Sequence, residues 1–471
     1  DAKTFSVSNF ARDMLGVSDN LRRTIEAAPK QEDGSVDENL VNGIIKDAWR
    51  DIIRAAETHN KPGQFTTFVA YEYTSSTDDR GNLHRNVIFR DADKLPAMPF
   101  SRFHSQDPEG LWDWLDDIRS QGMEALAIPH NSNGSNGQMF KMEDWAGNPL
   151  DDEYNAKRSR NEPLVEITQI KGTSETHPLL STTDEWADFE IMPYRVATTL
   201  PSEPGGSYAR DALLKGLSYE DQGMISPYRF GFVGASDTHT GASSLDEETF
   251  FSKAGLLDSD GMRRGSLPLP EETAEVLRDT GRLNVLEIGN EEYASGAYET
   301  WGASGLTGVW AEENTRDAIY RAFRRKETFA TSGTGIALRM HAGFRFPDNL
   351  FTHEDSASLL RKRGVPMGGK LRRGRGPLMI AVQLQDTSFR EKTQPSHRLQ
   401  VVKVWIESGR PQESVFDITG LSPIWSDPHF DSARPASYYV RVLEDAERGG
   451  SANSQTPSLA VTSPVWYVPE R

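Results

Sequence analysis

Between residues 41 and 60, in VNGIIKDAWRDIIRAAETHN, apolar positions recur at helical spacing. Ile44, Ile45, Ala48, Trp49, Ile52, Ile53 and Ala56 fall on one stripe, which predicts an amphipathic helix. FTTFVAYEYTSS follows directly and reads as a strand. NVIFR predicts another strand, GLWDWLDDIRSQG a helix and ALAIPHNSN a strand. LVEITQIKG is a strand, SYARDALLKGLS a helix and FGFVGASDTH a strand, followed by the strand RLNVLEIGN and the helix NTRDAIYRAFRRKE. Strands alternating with helices of this length predict an α/β architecture built on a parallel sheet or barrel.

The texture changes near residue 370. GKLRRGRGP is a basic, glycine-rich connection, and LMIAVQLQD, LQVVKVWIESG, SYYVRVLED and SPVWYVP then read as strands without long helices between them. This predicts two units: an α/β barrel over 1–369 and a small β-rich unit over 370–471. Residues 445–458 read as a surface loop, and no internal repeat interrupts the chain.

The chain has 471 residues, more than one ordinary core accommodates, which fits a large domain plus a smaller one. A net charge of -18 leaves no basic excess to neutralise a phosphate backbone, so nucleic acid is not the expected partner. No apolar run approaches the ~20 residues of a membrane helix. DAKTFSVSNFARDML carries no charged-then-apolar leader, and the expected location is periplasmic or secreted after removal of one, otherwise cytoplasmic. With no cysteine, disulfides, zinc–thiolate sites and thiol nucleophiles are excluded.

The candidate chemistry lies where strands end. Glu72 stands in VAYEYTSS, His84 in GNLHRNVIF, and His130 and Asn131 in AIPHNSN. Glu166, Glu175 and His177 stand in EITQIKGTSETHP, and Asp237 and His239 in FGFVGASDTHTG. On an extended chain residues i and i+2 share a face, so Asp237 and His239 are expected to leave their strand together. Imidazole and carboxylate without thiolate suit zinc, manganese or iron(II). Such ions activate water and clamp a phosphoryl oxygen. Each fragment also has a plain structural reading: an Asp-x-His pair closing a strand end, His130 capping a strand, His177 in a turn. The other six histidines, at 59, 104, 341, 353, 397 and 429, fall outside the pattern.

Taken together, FTTFVAYEYTS, GNLHRNVIFRD, LAIPHNSNGSNGQMF, EITQIKGTSETHP, MPYRVATTLPSEPGGSYARDALLKGL, FGFVGASDTHTG, VWAEENTRDAIYRAFRRKETFATSGT and SPVWYV resemble the PHP (polymerase and histidinol phosphatase) superfamily. The closer resemblance is to a bacterial branch catalogued as a domain of unknown function. The resemblance implies a distorted (β/α)7 barrel with two or three divalent metal ions hydrolysing phosphoesters. Carried over by motif, Glu72 is the bridging carboxylate, His84 and His177 are ligands, and Asp237 and His239 are the closing pair. His130 matches a position near the substrate or a further ligand, with His130 and Asp237 as catalytic residues. The His-x-His and Asp-His that open the superfamily pattern do not occur upstream of Glu72. The barrel is therefore expected to lack its first strands, with a separate N-terminal fragment as a partner that could complete it.

The leading expectation is a metal-dependent phosphoesterase acting on a small-molecule phosphoester. Arg85, Asn131 and Arg195 are the candidate substrate-binding residues, and Arg210 is a further arginine with the planar fork that suits phosphate. The alternatives are a hydrolase of another bond on the same scaffold and a non-catalytic binding protein with a degenerate site.

Overall fold

The stripe at 41–60 forms helix α1 (Glu38–His59). Its Trp49 ring lies 5.8 Å from both Tyr71 and Phe89, which docks the helix on the first sheet. The computed structural model describes residues 38–196, 198–237, 262, 267–280, 284–295, 302–333, 335–372, 374–386, 397–420, 423–444 and 458–469.

The first sheet contains β1 (Ala70–Tyr73), β2 (Arg85–Phe89) and β3 (Ala125–Pro129), antiparallel throughout. Helix α2 (Pro108–Ser120) separates β2 from β3. Its start is fixed by Asp107, whose carboxylate accepts the Glu109 N–H at 2.8 Å, and by Pro108 in the first turn. Leu111, Trp112, Leu115 and Ile118 form its buried stripe and pack with Val87, Phe89 and Ala125.

Helix α3 (Asp152–Asn161) leads to β4 (Leu164–Gln169) and the short β5 (Gly172–Thr173). Helix α4 (Ala209–Asp221) then precedes β6 (Gly231–Gly234), which runs parallel to β4 with a bulge between Glu166 and Thr168. After helix α5 (Glu271–Thr280), β7 (Asn284–Ile288) and β8 (Glu291–Ser295) make a separate hairpin. Strand β9 (Leu306–Val309), helix α6 (Arg316–Arg325) and β10 (Thr328–Thr331) come next. The remainder is β11 (Ile336–Phe344), helix α7 (Ser356–Arg363), β12 (Gly364–Pro366), β13 (Lys370–Leu371), β14 (Leu378–Asp386), β15 (His397–Glu407), β16 (Arg410–Ile418), β17 (Ile424–Ser426), β18 (Ala436–Glu444), β19 (Ser458–Thr462) and β20 (Val465–Tyr467).

The late strands form two sheets. One has the order β13-β20-β18-β19-β10-β9, with β15 and β16 branching from β18; the other is β12-β11-β14-β17. Leu338, Met340, Ile380 and Val382 of the second sheet pack against Val401, Tyr438, Val440 and Val442 of the first. This is a β-sandwich core.

Two expectations are corrected. The distorted (β/α)7 barrel is not present: the described strands fall into five sheets, none closes, and most pairings are antiparallel. The misreading has a clear origin. Phe89 pairs with Ala125, so the segment carrying α2 leaves and re-enters the sheet at the same end, as an enlarged hairpin rather than a parallel crossover. Hydrophobic periodicity gives an element's type but not its direction. Nor does the 369/370 boundary fall between sheets, since β11 pairs along its whole length with β14, and β9 and β10 extend the sheet of β18–β20. Helix α4 packs Ala209, Ala212 and Leu213 into one core with Phe232, Val402, Val404 and Tyr439.

The free edge of β6 is sealed by hydroxyl groups. Thr307 Oγ1 donates to Gly234 O at 2.6 Å, Thr328 Oγ1 donates to Phe232 O at 2.8 Å, and the Phe232 N–H donates to Ser463 Oγ at 2.8 Å. Among the described residues no helix is long and apolar enough to cross a membrane.

Candidate metal centre

Strand register assembles the centre. Glu72 pairs with Asn86, and Asn86 pairs with Ile128. His84 lies two residues before Asn86, and His130 two after Ile128. In a pleated sheet each therefore shares the face of Glu72, His84 as its diagonal neighbour and His130 one strand further across. The His130 N–H donates to His84 O at 3.3 Å and continues the ladder one step past β3. Tyr71 and Tyr73 point to the other face, into the packing of α1 and α2.

As a result, Glu72, His84 and His130 each offer a ligand atom, all within 4.8 Å of one another. His84 Nδ1 lies 2.6 Å from Glu72 Oε1, and His130 Nε2 lies 3.4 Å from the same oxygen. The two imidazoles meet edge to face at 5.6 Å. Burial raises the Glu72 pKa, but hydrogen bonds from His130 and His84 outweigh it and hold the carboxyl well below the usual carboxylate range. For His84 burial wins over the pull of Glu72, and its pKa is lowered, which favours the neutral ring. Buried His130 leaves Nδ1 without a hydrogen-bond partner among the described residues.

The loop after β3 is held from several sides. Asn131 takes a left-handed conformation (φ 51°), which asparagine tolerates better than most residues. Its N–H donates to Glu166 Oε1 at 3.4 Å, and its buried side-chain Nδ2 has no partner among the described residues. Asn82 Nδ2 donates to His130 O at 2.7 Å and to Asn131 O at 3.2 Å. Gly81 lets this contact form, since a Cβ there would stand 2.4 Å from Ser135 O. Glu166 is fully buried on β4, and that burial raises its pKa despite the nearby His130.

Lys171 enters the same space. Its N–H donates to Gln169 Oε1 at 2.9 Å, its carbonyl accepts from Asn133 Nδ2 at 2.9 Å, and Gly172 (φ 85°) turns the chain just after it. The Lys171 ammonium pairs with Asp237. Burial pushes its pKa down to about 8 against the opposing pull of Glu166 and Glu72.

The other expected site residues are differently placed. Asp237 faces Lys171; β6 ends at Gly234 and Asp237 has φ 52°, so the chain is not extended there and the i, i+2 reasoning does not apply. His239 lies outside the described residues. His177 is not in the three-residue group: its ring lies 5.3 Å from Tyr208, and its Nδ1 accepts the Leu179 N–H at 3.1 Å. Arg85 points away from Glu72 and is buried on Glu162 at 2.9 Å. Arg158 reaches the same Glu162 at 3.1 Å. Arg195 bonds Pro201 O at 3.0 Å and the carbonyl of Asp79 in a surface loop.

Arg210 and Glu175 belong to a buried structural network. Arg210 reaches Glu175 at 2.5 Å and Asp184 at 2.9 Å, and Arg441 reaches Asp184 at 2.7 Å and Glu175 at 3.3 Å. Sequence reading missed Lys171 and Asn82. The sequence signal for Lys171 was a cation at the end of the acid-bearing strand LVEITQIKG; Asn82, in GNLHRN, had none beyond its nearness to His84.

The donor set fits a divalent metal ion. Two imidazoles and one carboxylate match a three-ligand catalytic site that leaves a position open. An ionised Glu72 and a neutral His84 are the protonation states that ligation requires.

Comparison with known proteins gives two kinds of match. Segments of 62 residues, 12% of this chain, are 45% identical to the protein GrpE of Mesorhizobium japonicum and 47% identical to that of Bartonella quintana. They cover 29% and 27% of those proteins, so the chain spans under a third of the curated relatives it matches. No solved structure matches. The family model described as protein of unknown function (DUF3604) matches residues 8–422, most of the chain, and the protein therefore belongs to the DUF3604 family.

Proposed function

We propose that this protein is a metal-dependent hydrolase whose substrate is a small phosphoester. The observation that carries the reading is the convergence of Glu72, His84 and His130 within 4.8 Å on one sheet face. A divalent ion held by these residues supplies Lewis acidity and makes water a usable nucleophile at neutral pH. Glu72 provides the negative charge of the ligand set, and His84 and His130 provide two further donors. Asn131 Nδ2, buried beside this group without a partner among the described residues, is a donor for a substrate oxygen. Glu166, held toward its protonated form, accepts the Asn131 N–H and fixes that loop. The resemblance to the PHP superfamily supports the phosphoester class.

A second reading, hydrolysis of an uncharged acyl bond, is favoured by one observation: Arg85 and Arg195 are both engaged in internal pairs, while the cation whose charge acts on Glu72 and His84 is Lys171. The test is elemental analysis of the purified chain together with a panel of phosphomonoesters, phosphodiesters and amides. Bound zinc, manganese or iron with phosphoester turnover supports the proposal, and turnover of amides alone moves it to the second reading. A metal-free, inactive protein overturns both.

A further inference from the structure

We infer that this centre holds a single divalent ion, and that the Lys171 ammonium occupies, beside Asp237, the place a second ion would take. The inference rests on the metal-site reading above and makes it narrower.

Three observations support it. The three-residue group is the only one of its kind among the described residues. Asp237, the carboxylate expected from sequence to close a multinuclear site, is paired with Lys171. That lysine is not a surface chain that has swung inward: hydrogen bonds to Gln169 and Asn133 pin both sides of its backbone, and Gly172 fixes the turn beyond.

Charge leads to the same count. The region gathers the carboxyl groups of Glu72, Glu166 and Asp237, and the Lys171 charge acts on Glu72, Glu166 and His84. One ammonium and one divalent ion balance three carboxylates. A dication brought to Asp237 would also have to displace an ammonium from a largely buried position, where like charges repel strongly.

The experiment uses the full chain, stripped with chelator and reloaded with Zn²⁺ or Mn²⁺, and reads metal per chain by elemental analysis after gel filtration. One equivalent is expected for the parent protein, with an uncoupled six-line Mn²⁺ resonance spectrum. Lys171→Met is expected to take up close to two equivalents, while Lys171→Arg, which keeps the charge, is expected to remain at one. Two equivalents or a spin-coupled spectrum in the parent would overturn the single-ion inference and leave the hydrolase reading standing. One equivalent in a folded Lys171→Met would remove the role assigned to Lys171. No bound metal in any of the three proteins would overturn the metal-site reading itself. The parent measurement decides the ion count even if Lys171→Met fails to fold.

Discussion

His84 Nδ1 sits 2.6 Å from Glu72 Oε1, and this pair sets how metal binding responds to acid. Glu72 is held below the usual carboxylate range and His84 is biased neutral, so at neutral pH no proton need leave either group before an ion binds. With Lys171 protonated, Zn²⁺ affinity is expected to be nearly flat between about pH 7 and 6.5, and to fall below the ordinary imidazole pKa of about 6.5. Titration against a chromophoric chelator across that range checks this. Glu72→Gln removes the charged ligand and is expected to weaken affinity more than the roughly 100-fold seen when an outer partner is lost. Affinity that rises on acidification would contradict the assignment.

Asn82 touches no proposed ligand atom but holds the carbonyls of His130 and Asn131. Asn82→Ala is expected to lower metal affinity by roughly 10- to 100-fold, the usual effect of losing an outer partner. The same competition assay measures it, and Asn82→Asp tests whether shape alone suffices. An unchanged affinity in a folded variant would show that the loop is held without Asn82.

Arg441 lies in the buried network with Asp184 and Glu175. Arg441→Met strips one cation from two buried carboxylates, which is expected to cost about 3–5 kcal/mol in denaturant unfolding. The double change Arg441→Met, Asp184→Asn, which leaves Arg210 paired with Glu175, should recover part of that loss. A loss under about 1 kcal/mol for Arg441→Met alone would mean that water reaches these groups.

Stability should also depend on His341, buried on β11, far in sequence from the centre. Burial, aided by Arg339, lowers its pKa to about 4. The folded state therefore disfavours the charged ring, while the unfolded chain protonates it near 6.5. Its contribution is fully present above about pH 6.5 and is lost as pH falls from there toward 4. Replacing His341 with Gln should flatten the slope of unfolding free energy in that window. An equal slope in both proteins would show that other groups carry it.

Element identity was largely legible in the sequence. The stripe at 44–56 became α1, and the apolar runs around Glu72, His130 and Glu166 became β1, β3 and β4. Strand direction was not, because β2 and β3 are joined through a helix whose length suits a crossover yet closes a hairpin. The centre was legible in part: Glu72, His84 and His130 were all named as acid and imidazoles at strand ends, and register puts them on one face. The direction of Asp237 was not legible, since a left-handed residue beyond β6 breaks the alternation on which side-chain direction depends. The role of Lys171 depends on a tertiary pair that no local pattern encodes.

The hydroxyl seam along β6 has a consequence for the order in which the molecule can be completed during synthesis. The residues of the candidate centre lie between Glu72 and Lys171, yet the strand beside them waits for a residue made much later, Ser463. The buried Phe232 N–H is satisfied by Ser463, supplied 231 residues later. Until then that donor has no partner in its final place, and burying it unpaired is unfavourable. Nascent chains that have not yet reached Ser463 are thus expected to carry β6 unseated beside the candidate centre. Shortened chains ending before Ser463 would then leave β6 unseated even though every proposed ligand is present.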